Sequence, residues 1–167
     1  MVIKGYKAFN NDMTNRYGSK FEEGKIYEID GPLSFGNKGN DLHFCENLED
    51  TLKFFDDDRK IAKVTCLGDY YKVDDEQQDY YDMYVTNKLR VDKILTRKEI
   101  LDYILKEDVF YKVKRFLTFF KLTKEEIEYF KARYAKDKDI INAILYYQEG
   151  IKDIYEKEQK RLSGKKM

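Results

Sequence analysis

The chain has 167 residues, and its 32 Lys and Arg side chains balance its 32 Asp and Glu side chains. Aromatic residues make up 16% of the sequence, which excludes a disordered chain, because such a chain lacks the apolar surface that offsets the entropy of ordering. No run approaches the roughly 20 apolar residues of a membrane-spanning helix, and no apolar signal peptide follows Met1, so we expect neither. Two cysteines, Cys45 and Cys66, are too few for a disulfide scaffold and predict a cytoplasmic location.

The net charge of zero is the sum of two oppositely charged regions. Residues 1–95 carry 14 basic and 19 acidic side chains, a net charge of −5, whereas residues 96–167 carry 18 and 13, a net charge of +5. Seven of the nine glycines and the only proline lie before residue 69. Because glycine and proline favour turns and their absence permits long helices, we predict an α+β protein. Its predicted parts are a β-rich α+β subdomain over 1–95, a helical subdomain over 96–162 and a flexible tail over 163–167.

Apolar alternation and turn residues predict the elements of the first region in the order β-β-β-α-β-β. The first four strands are expected over residues 2–9, 24–29, 41–45 and 61–66. Asn47 is expected to cap a helix after the third strand. Residues 83–86 and 89–94 predict either one long strand with a bulge or two short strands.

Helix start signals and apolar residues at spacings of three and four predict four α-helices in the second region. Their predicted N-caps are Thr96, Asp108, Thr123 and either Asp137 or Asp139. Thr96 and Thr123 each have a glutamate three residues later, which is the pattern of a capping box. The fourth helix is expected to reach Ile154, with a kink or break at Gly150, because glycine costs about 1 kcal/mol relative to alanine there. Four helices with short loops predict an antiparallel bundle or a pair of hairpins.

The single histidine lies close to a cysteine on the third predicted strand. His43 and Cys45 are two residues apart and therefore face the same side of that strand. They could be two metal ligands or a Cys–His nucleophile pair, but a tetrahedral zinc site needs three or four ligands. We therefore expect a half-buried histidine beside a core cysteine and predict no metal site. The sequence has no nucleotide-binding, metalloprotease or hydrolase motif, so the favoured interpretation is a protein without enzymatic activity.

Residues 69–82 form an acidic tyrosine segment, in which six acidic side chains and two Tyr–Tyr pairs accompany one lysine. Charge repulsion favours a solvated loop. The functional interpretation is a contact surface, because tyrosines supply rigid contact area and carboxylates face a partner rich in Arg and Lys. The segment would repel the phosphates of nucleic acid. The candidate partner-binding residues are Asp69, Tyr70, Tyr71, Asp74, Asp75, Glu76, Asp79, Tyr80, Tyr81 and Asp82.

The basic side chains of the second region offer another interpretation. Lys112, Lys114, Arg115 and Lys121 are dense around three phenylalanines. Acidic residues are interleaved among them at helical spacing, which favours a salt-bridged, solvated face. Binding of nucleic acid by these helices, or their docking on the negative first region, is the alternative.

Three motifs of the first region resemble a known family. They are Gly5-Tyr-Lys-Ala-Phe9, Phe21-Glu-Glu-Gly-Lys-Ile-Tyr27 and Leu42-His-Phe-Cys-Glu-Asn47. Together with residues 61–64 and 85–88, they resemble small uncharacterised proteins of bacteriophages and prophages over about residues 3–95. This resemblance implies a phage- or prophage-associated protein in the cytoplasm of a bacterial host, and it implies no particular activity.

The first region is also similar to the opening of ADP-ribosyltransferase-type folds. The shared order is an aromatic and basic strand, a glycine loop, an aromatic strand and a helix. This likeness implies a nicotinamide pocket between the first and third strands, with NAD as cofactor and Glu76 as the only candidate for a catalytic glutamate. The candidate pocket residues are Tyr6, Lys7, His43, Phe44 and Cys45.

These observations give one main hypothesis and two alternatives. The main hypothesis is a protein that binds a host protein or ribonucleoprotein with a basic groove, for instance an anti-CRISPR-like inhibitor of a bacterial defence system. It would use the acidic tyrosine segment and no cofactor. The alternatives are an NAD-binding protein of the ADP-ribosyltransferase type, active or degenerate, and a nucleic-acid regulator that uses the basic helices.

Overall fold

The computed structural model describes residues 3–35, 41–54, 58–73 and 83–151. The chain divides into two compact units, Met1–Tyr103 and Ile104–Met167, and each is described by itself. Strands precede helices along the described residues, so the predicted α+β class is confirmed. Within the same residues, no helix is both long enough and apolar enough to cross a membrane.

Seven antiparallel strands of the described residues form one sheet in the first unit. They are β1 Lys4–Phe9, β2 Ile26–Glu28, β3 Leu42–Cys45, β4 Lys60–Cys66, β5 Tyr70–Lys72, β6 Met83–Thr86 and β7 Lys88–Ile94. Their spatial order is β2-β7-β4-β1-β3-β6-β5. The first four predicted strands are confirmed, with ends displaced by one or two residues. Residues 83–94 form two strands separated by Asn87, so the second of the two predicted arrangements is confirmed.

Strands β4 to β7 form a long hairpin, with β4 and β5 in one arm and β6 and β7 in the other. β4 pairs with β7, and β5 pairs with β6, so both arms of the hairpin bend and remain paired on each side of the bend. β6 also pairs with β3, whereas β1 lies between β3 and β4. Asn87 alone separates β6 from β7, so these two strands are parts of one arm that bends at this residue.

Gly68 and Asn87 fix the bend of this hairpin. A Cβ atom at Gly68 would lie 2.0 Å from Asn87 Oδ1, so the close approach of the two arms requires glycine. The same Oδ1 accepts a hydrogen bond from the backbone N–H of Asp69 at 2.9 Å. Thr86 Oγ1 donates to the carbonyl of Asp69 at 2.7 Å. Side chains of one arm therefore satisfy backbone groups of the other where regular pairing is interrupted.

Alternation along the strands places the buried side chains in two clusters on opposite faces of the sheet. The larger cluster contains Phe9, Met13, Phe21, Leu42, Phe44, Ala62, Val64, Cys66, Leu89 and Val91. The smaller cluster contains Cys45, Val73, Met83 and Val85, with Leu33, Phe35 and Phe54 packed against it. Phe44 and Cys45 are neighbours on β3 and lie in different clusters.

A one-turn 3₁₀ helix, Leu48–Thr51, replaces the α-helix predicted after Asn47. Asn47 occupies the N-cap position, but its side chain makes no capping hydrogen bond. Thr51 Oγ1 donates to the carbonyl of Leu48 at 2.7 Å, a local bond that competes with a regular helical ladder. The prediction of an α-helix here is therefore wrong.

Four α-helices follow: α1 Arg97–Glu107, α2 Phe110–Phe119, α3 Lys124–Arg133 and α4 Lys138–Ala143, which continues into a π-helical turn at Ile144–Gln148. The predicted capping boxes at Thr96 and Thr123 are confirmed, because each hydroxyl accepts from the N–H three residues on at 3.2 Å and the glutamate bonds back. Asp137 caps α4 by accepting from the N–H of Ile140 at 3.2 Å.

The prediction for the start of α2 is wrong, and the predicted break in the fourth helix is confirmed. Asp108 does not cap α2, which follows Val109. Asp108 adopts a left-handed φ of 47°. Its carboxylate accepts a hydrogen bond at 2.7 Å from the hydroxyl of Tyr134, in the C-terminal turn of α3, instead of capping the N-terminus of α2. The fourth helix breaks before Gly150, which has a φ of 68°, so the predicted break is confirmed. The rest of the predicted helix, up to Ile154, lies outside the described residues.

Candidate functional site

Strand β5 lies at one edge of the sheet and carries the first tyrosine pair of the acidic tyrosine segment. Tyr70, Tyr71 and Lys72 pair with β6, and no strand within the described ranges pairs with the other side of β5. The prediction of a solvated loop is therefore wrong at these three residues. Strand pairing and the strand preference of tyrosine outweigh charge repulsion there. The remaining candidates, Asp74, Asp75, Glu76, Asp79, Tyr80, Tyr81 and Asp82, lie outside the described residues.

Tyr70 belongs to an aromatic row that crosses three strands. Its side chain is 45% exposed, and its ring centroid lies 6.2 Å from that of Tyr84 on β6. The Tyr84 ring in turn stacks on Phe44 of β3 at 5.4 Å. Lys72 Nζ lies 6.0 Å from the Tyr84 centroid. An exposed tyrosine is thus supported through Tyr84 by a buried phenylalanine, which restricts its motion.

Tyr71 lies on the opposite face of β5. It pairs with Val85 of β6, which pairs with His43 of β3. Its side chain is 40% exposed and makes no hydrogen bond or ring contact with any residue that the structure describes. Tyr70 and Tyr71 together offer exposed aromatic surface on both faces of the sheet edge, which is a geometry suited to a partner that wraps this edge.

Asp69 has a structural role at the bend. Its backbone N–H and carbonyl bond to Asn87 and Thr86, and its carboxylate accepts from Asn87 Nδ2 at 3.3 Å. Its charge is therefore partly used within the chain, unlike an exposed carboxylate available to a partner.

The residues of the predicted ligand pocket lie on opposite faces of the sheet. Phe44 packs in the larger cluster, and Lys7 Nζ lies 5.7 Å from the ring of Phe9 in that cluster. Tyr6 pairs with Cys45, which packs in the smaller cluster, and alternation places His43 on that same face. Tyr6 contacts the ring of Tyr103 edge-on, with centroids 5.5 Å apart. The structure therefore places Tyr6, His43 and Cys45 on one face and Phe44 on the other, with the Lys7 amine bonded to the carbonyl of His43.

Lys7 is a buried amine in the interior of the first unit. Its side chain is 4% exposed, and Nζ donates a hydrogen bond to the carbonyl of His43 at 2.7 Å. Burial lowers the pKa of Lys7 to about 8, against the opposing attraction of Asp41. An amine with this pKa would be a competent nucleophile, but its burial withholds it from a substrate.

Asp41 and His43 are polar side chains that interact with Lys7 electrostatically. The Asp41 carboxylate lies 3.4 Å from His43 Nδ1. The charge of Lys7 and burial both lower the pKa of His43, against the hydrogen bond that its imidazole makes to Asp41, and this favours the neutral imidazole. Sequence reasoning missed Asp41, although an acid two residues before a histidine on a strand shares its face. The described residues contain no group of three His, Cys, Asp or Glu side chains that could hold a metal ion.

Comparisons with known proteins concern the first unit. No curated protein and no solved structure matches the chain. Residues 3–103 match an uncharacterised family, and the match ends where the first unit ends. The helical unit lies outside it. Since the match covers more than half of the chain, the protein belongs to the family described as "Domain of unknown function (DUF7666)".

Proposed function

We propose that this protein acts by binding another macromolecule through the β5 edge and the acidic residues that follow it. The observation that carries the proposal is the exposure of Tyr70 and Tyr71, 45% and 40%, on an edge strand. Residues 74–82 come directly after this strand and contain five acidic and no basic side chains. Anchoring aromatic groups therefore adjoin a concentrated negative charge.

Each part of this surface contributes to the binding free energy in a different way. Tyr70 is held by Tyr84 before a partner arrives, so little side-chain entropy is lost on association. The outer side of β5 offers backbone groups for strand addition. The carboxylates of residues 74–82 complement a basic groove, where they would take the place of a phosphate backbone.

The partner class that fits this surface is a protein or ribonucleoprotein with a basic groove. In its most specific form, the proposal is a phage- or prophage-associated inhibitor of a bacterial defence system of the anti-CRISPR type, acting in the host cytoplasm. Effectors of such systems hold nucleic acid in positively charged channels, which an acidic surface with aromatic anchors is suited to block.

The test is affinity capture from bacterial lysate by the full chain, followed by mass spectrometry and a binding assay with the captured protein. We expect a combined Asp74→Ser, Asp75→Ser, Glu76→Ser and Asp79→Ser variant to lose the captured protein, and heparin to displace it from the unmodified chain. A matched variant replaces four exposed acids elsewhere by serine: Glu28, Asp102, Glu125 and Glu128. Equal capture by both variants would overturn the proposal.

A Tyr71→Ser variant separates the aromatic anchor from the charge. We expect it to weaken binding at least about tenfold, as for an interface anchor, whereas Tyr129→Ser in the helical unit leaves the affinity unchanged. Tyr129 is a matched control because it is also exposed, at 55%.

The observations do not favour the two alternatives. A nicotinamide pocket lined by Lys7 would need this side chain to be accessible, whereas it is only 4% exposed and its amine donates to the carbonyl of His43. The basic helices carry internal ion pairs, such as Lys112 with Glu107 at 3.4 Å and Lys131 with Glu149. Such pairs reduce the charge available to phosphates.

A further inference from the structure

A pocket of about 540 Å³ lies within the helical unit, outside the family match. Its apolar lining includes Val113 and Ile140, which are each 1% exposed, and Phe110, which is 46% exposed. Its polar lining consists of Asp108, Arg133, Tyr134 and Asp137. A volume of this size lies within the range of small-ligand sites.

Three of the polar groups interact with one another. The Tyr134 hydroxyl donates to Asp108 Oδ1 at 2.7 Å, and Arg133 Nη2 lies 4.0 Å from Asp108 Oδ2. Arg133 Nη2 also donates to the carbonyl of Leu105 at 3.1 Å. The guanidinium is therefore held by the protein, and its charge is offset by that of Asp108.

Asp137 supplies the charge that remains. Its Oδ1 accepts from the N–H of Ile140, and Oδ2 has no partner among the residues that the structure describes. Among the lining residues that the structure describes, two carboxylates and one guanidinium give a net charge of −1. A cation is thus the complement of this pocket, because an anion would be repelled and a neutral ligand would desolvate a carboxylate without compensation.

We propose that this pocket binds an alkylammonium or alkylguanidinium group, supplied either by a free amine or by a Lys or Arg side chain of a peptide. Asp137 pairs with the cation, and the rings of Phe110 and Tyr134 attract it through their π faces. Val113 and Ile140 contact its aliphatic chain. This proposal rests on the helical unit alone and does not depend on the proposed function.

The test is an NMR titration of the full chain with cadaverine and, separately, with Nα-acetyl-lysine methylamide. We expect saturable shifts of the amides of Asp108, Val113 and Ile140 with at least one of them. Binding of cadaverine alone would identify a free amine as the ligand source, and tighter binding of the lysine derivative would identify a peptide side chain. The neutral and anionic comparisons are 1-pentanol and pentanoate.

Asp137→Asn removes the charge while keeping the N-cap, because asparagine caps helices as well as aspartate does. Asp108→Asn likewise retains a residue that tolerates a left-handed φ. We expect Asp137→Asn to weaken cation binding at least about tenfold, as for a hydrogen bond to a charged group. Asp139→Asn, in the same helical turn and outside the pocket lining, should leave the affinity within about twofold.

Three results would overturn the proposal. They are the absence of saturable shifts at the pocket for both amines, affinity for pentanol or pentanoate equal to that for the amines, and unchanged amine affinity in Asp137→Asn. Because this titration does not involve the β5 edge or its acid-to-serine variants, failure of the titration would leave the proposed function standing. Failure of the lysate capture would likewise leave the cation-binding proposal standing.

Discussion

The contacts that stabilise the two units of this protein join residues at different separations along the chain. In the sheet unit, the decisive contacts join distant residues, as where Gly68 meets Asn87 and where Lys7 meets the His43 carbonyl. In the helical unit, the ends of α3 and α4 are set by side chains three residues away, Thr123 with Glu126 and Asp137 with Ile140. Local signals therefore specify much of the second unit, whereas the first depends on which strands meet.

The largest effect that would sharpen this contrast concerns the buried charge of Lys7. Its pKa is about 8 in the folded chain, below the usual lysine value of 10.5, so the unfolded chain binds more protons between these pH values. Stability should therefore rise with pH across that window, by at most about 3 kcal/mol. We expect Lys7→Met to be most favourable relative to the unmodified protein near pH 7, and this advantage to shrink by pH 10.

Urea unfolding at several pH values measures this advantage as a difference between the two proteins. Lys63→Met is the matched control, because Lys63 lies on the neighbouring strand β4 and is exposed. Its difference from the unmodified protein should stay constant with pH. A constant difference for Lys7→Met as well would show that burial does not disfavour its charged form.

The second effect concerns the bend of the hairpin. A Cβ at Gly68 would lie 2.0 Å from Asn87 Oδ1 and 3.1 Å from the backbone nitrogen of Lys88, so both arms would have to move. We expect Gly68→Ala to lower the free energy of unfolding by about 2 kcal/mol. A Cβ at Gly150 in the helical unit would meet no atom of the described residues within 4 Å, so the φ of 68° is the cost expected for Gly150→Ala, about 1 kcal/mol.

Thermal or urea unfolding of both variants provides the comparison. If Gly68→Ala cost no more than Gly150→Ala, the contact between the arms would not be the constraint that selects glycine, and backbone conformation alone would explain both positions.

The same contrast explains which elements could be predicted. The sequence predicts the capping boxes at Thr96 and Thr123 and the cap at Asp137, because each capping residue and its partner lie within one helical turn. Asp108 has the residue type of a cap, but the hydroxyl of Tyr134, 26 residues away, takes its carboxylate. A local signal fails where a distant partner competes for the same group.

In the sheet unit, strand positions followed from alternation, but neighbours did not. Nothing near Tyr70 indicates that it pairs with Thr86, so its exposure on an edge strand could not be predicted. The sequence predicts Lys7 as a ligand-pocket residue together with His43, but its burial depends on the position of β1 between β3 and β4, which alternation does not indicate. The tyrosine pair was identifiable from composition, and its support by Tyr84 required the fold.

The smallest effect tests the local side of the contrast. Thr123→Ala removes the hydroxyl that accepts from the N–H of Glu126 at 3.2 Å, and we expect a loss of about 1 kcal/mol in the free energy of unfolding. Thr118→Ala is the matched control, because its hydroxyl bonds back to the carbonyl of Lys114 within α2 and alanine favours a helix. Its stability should be unchanged or slightly higher. Equal losses for the two variants would mean that α3 is held by its packing and that its local cap contributes little.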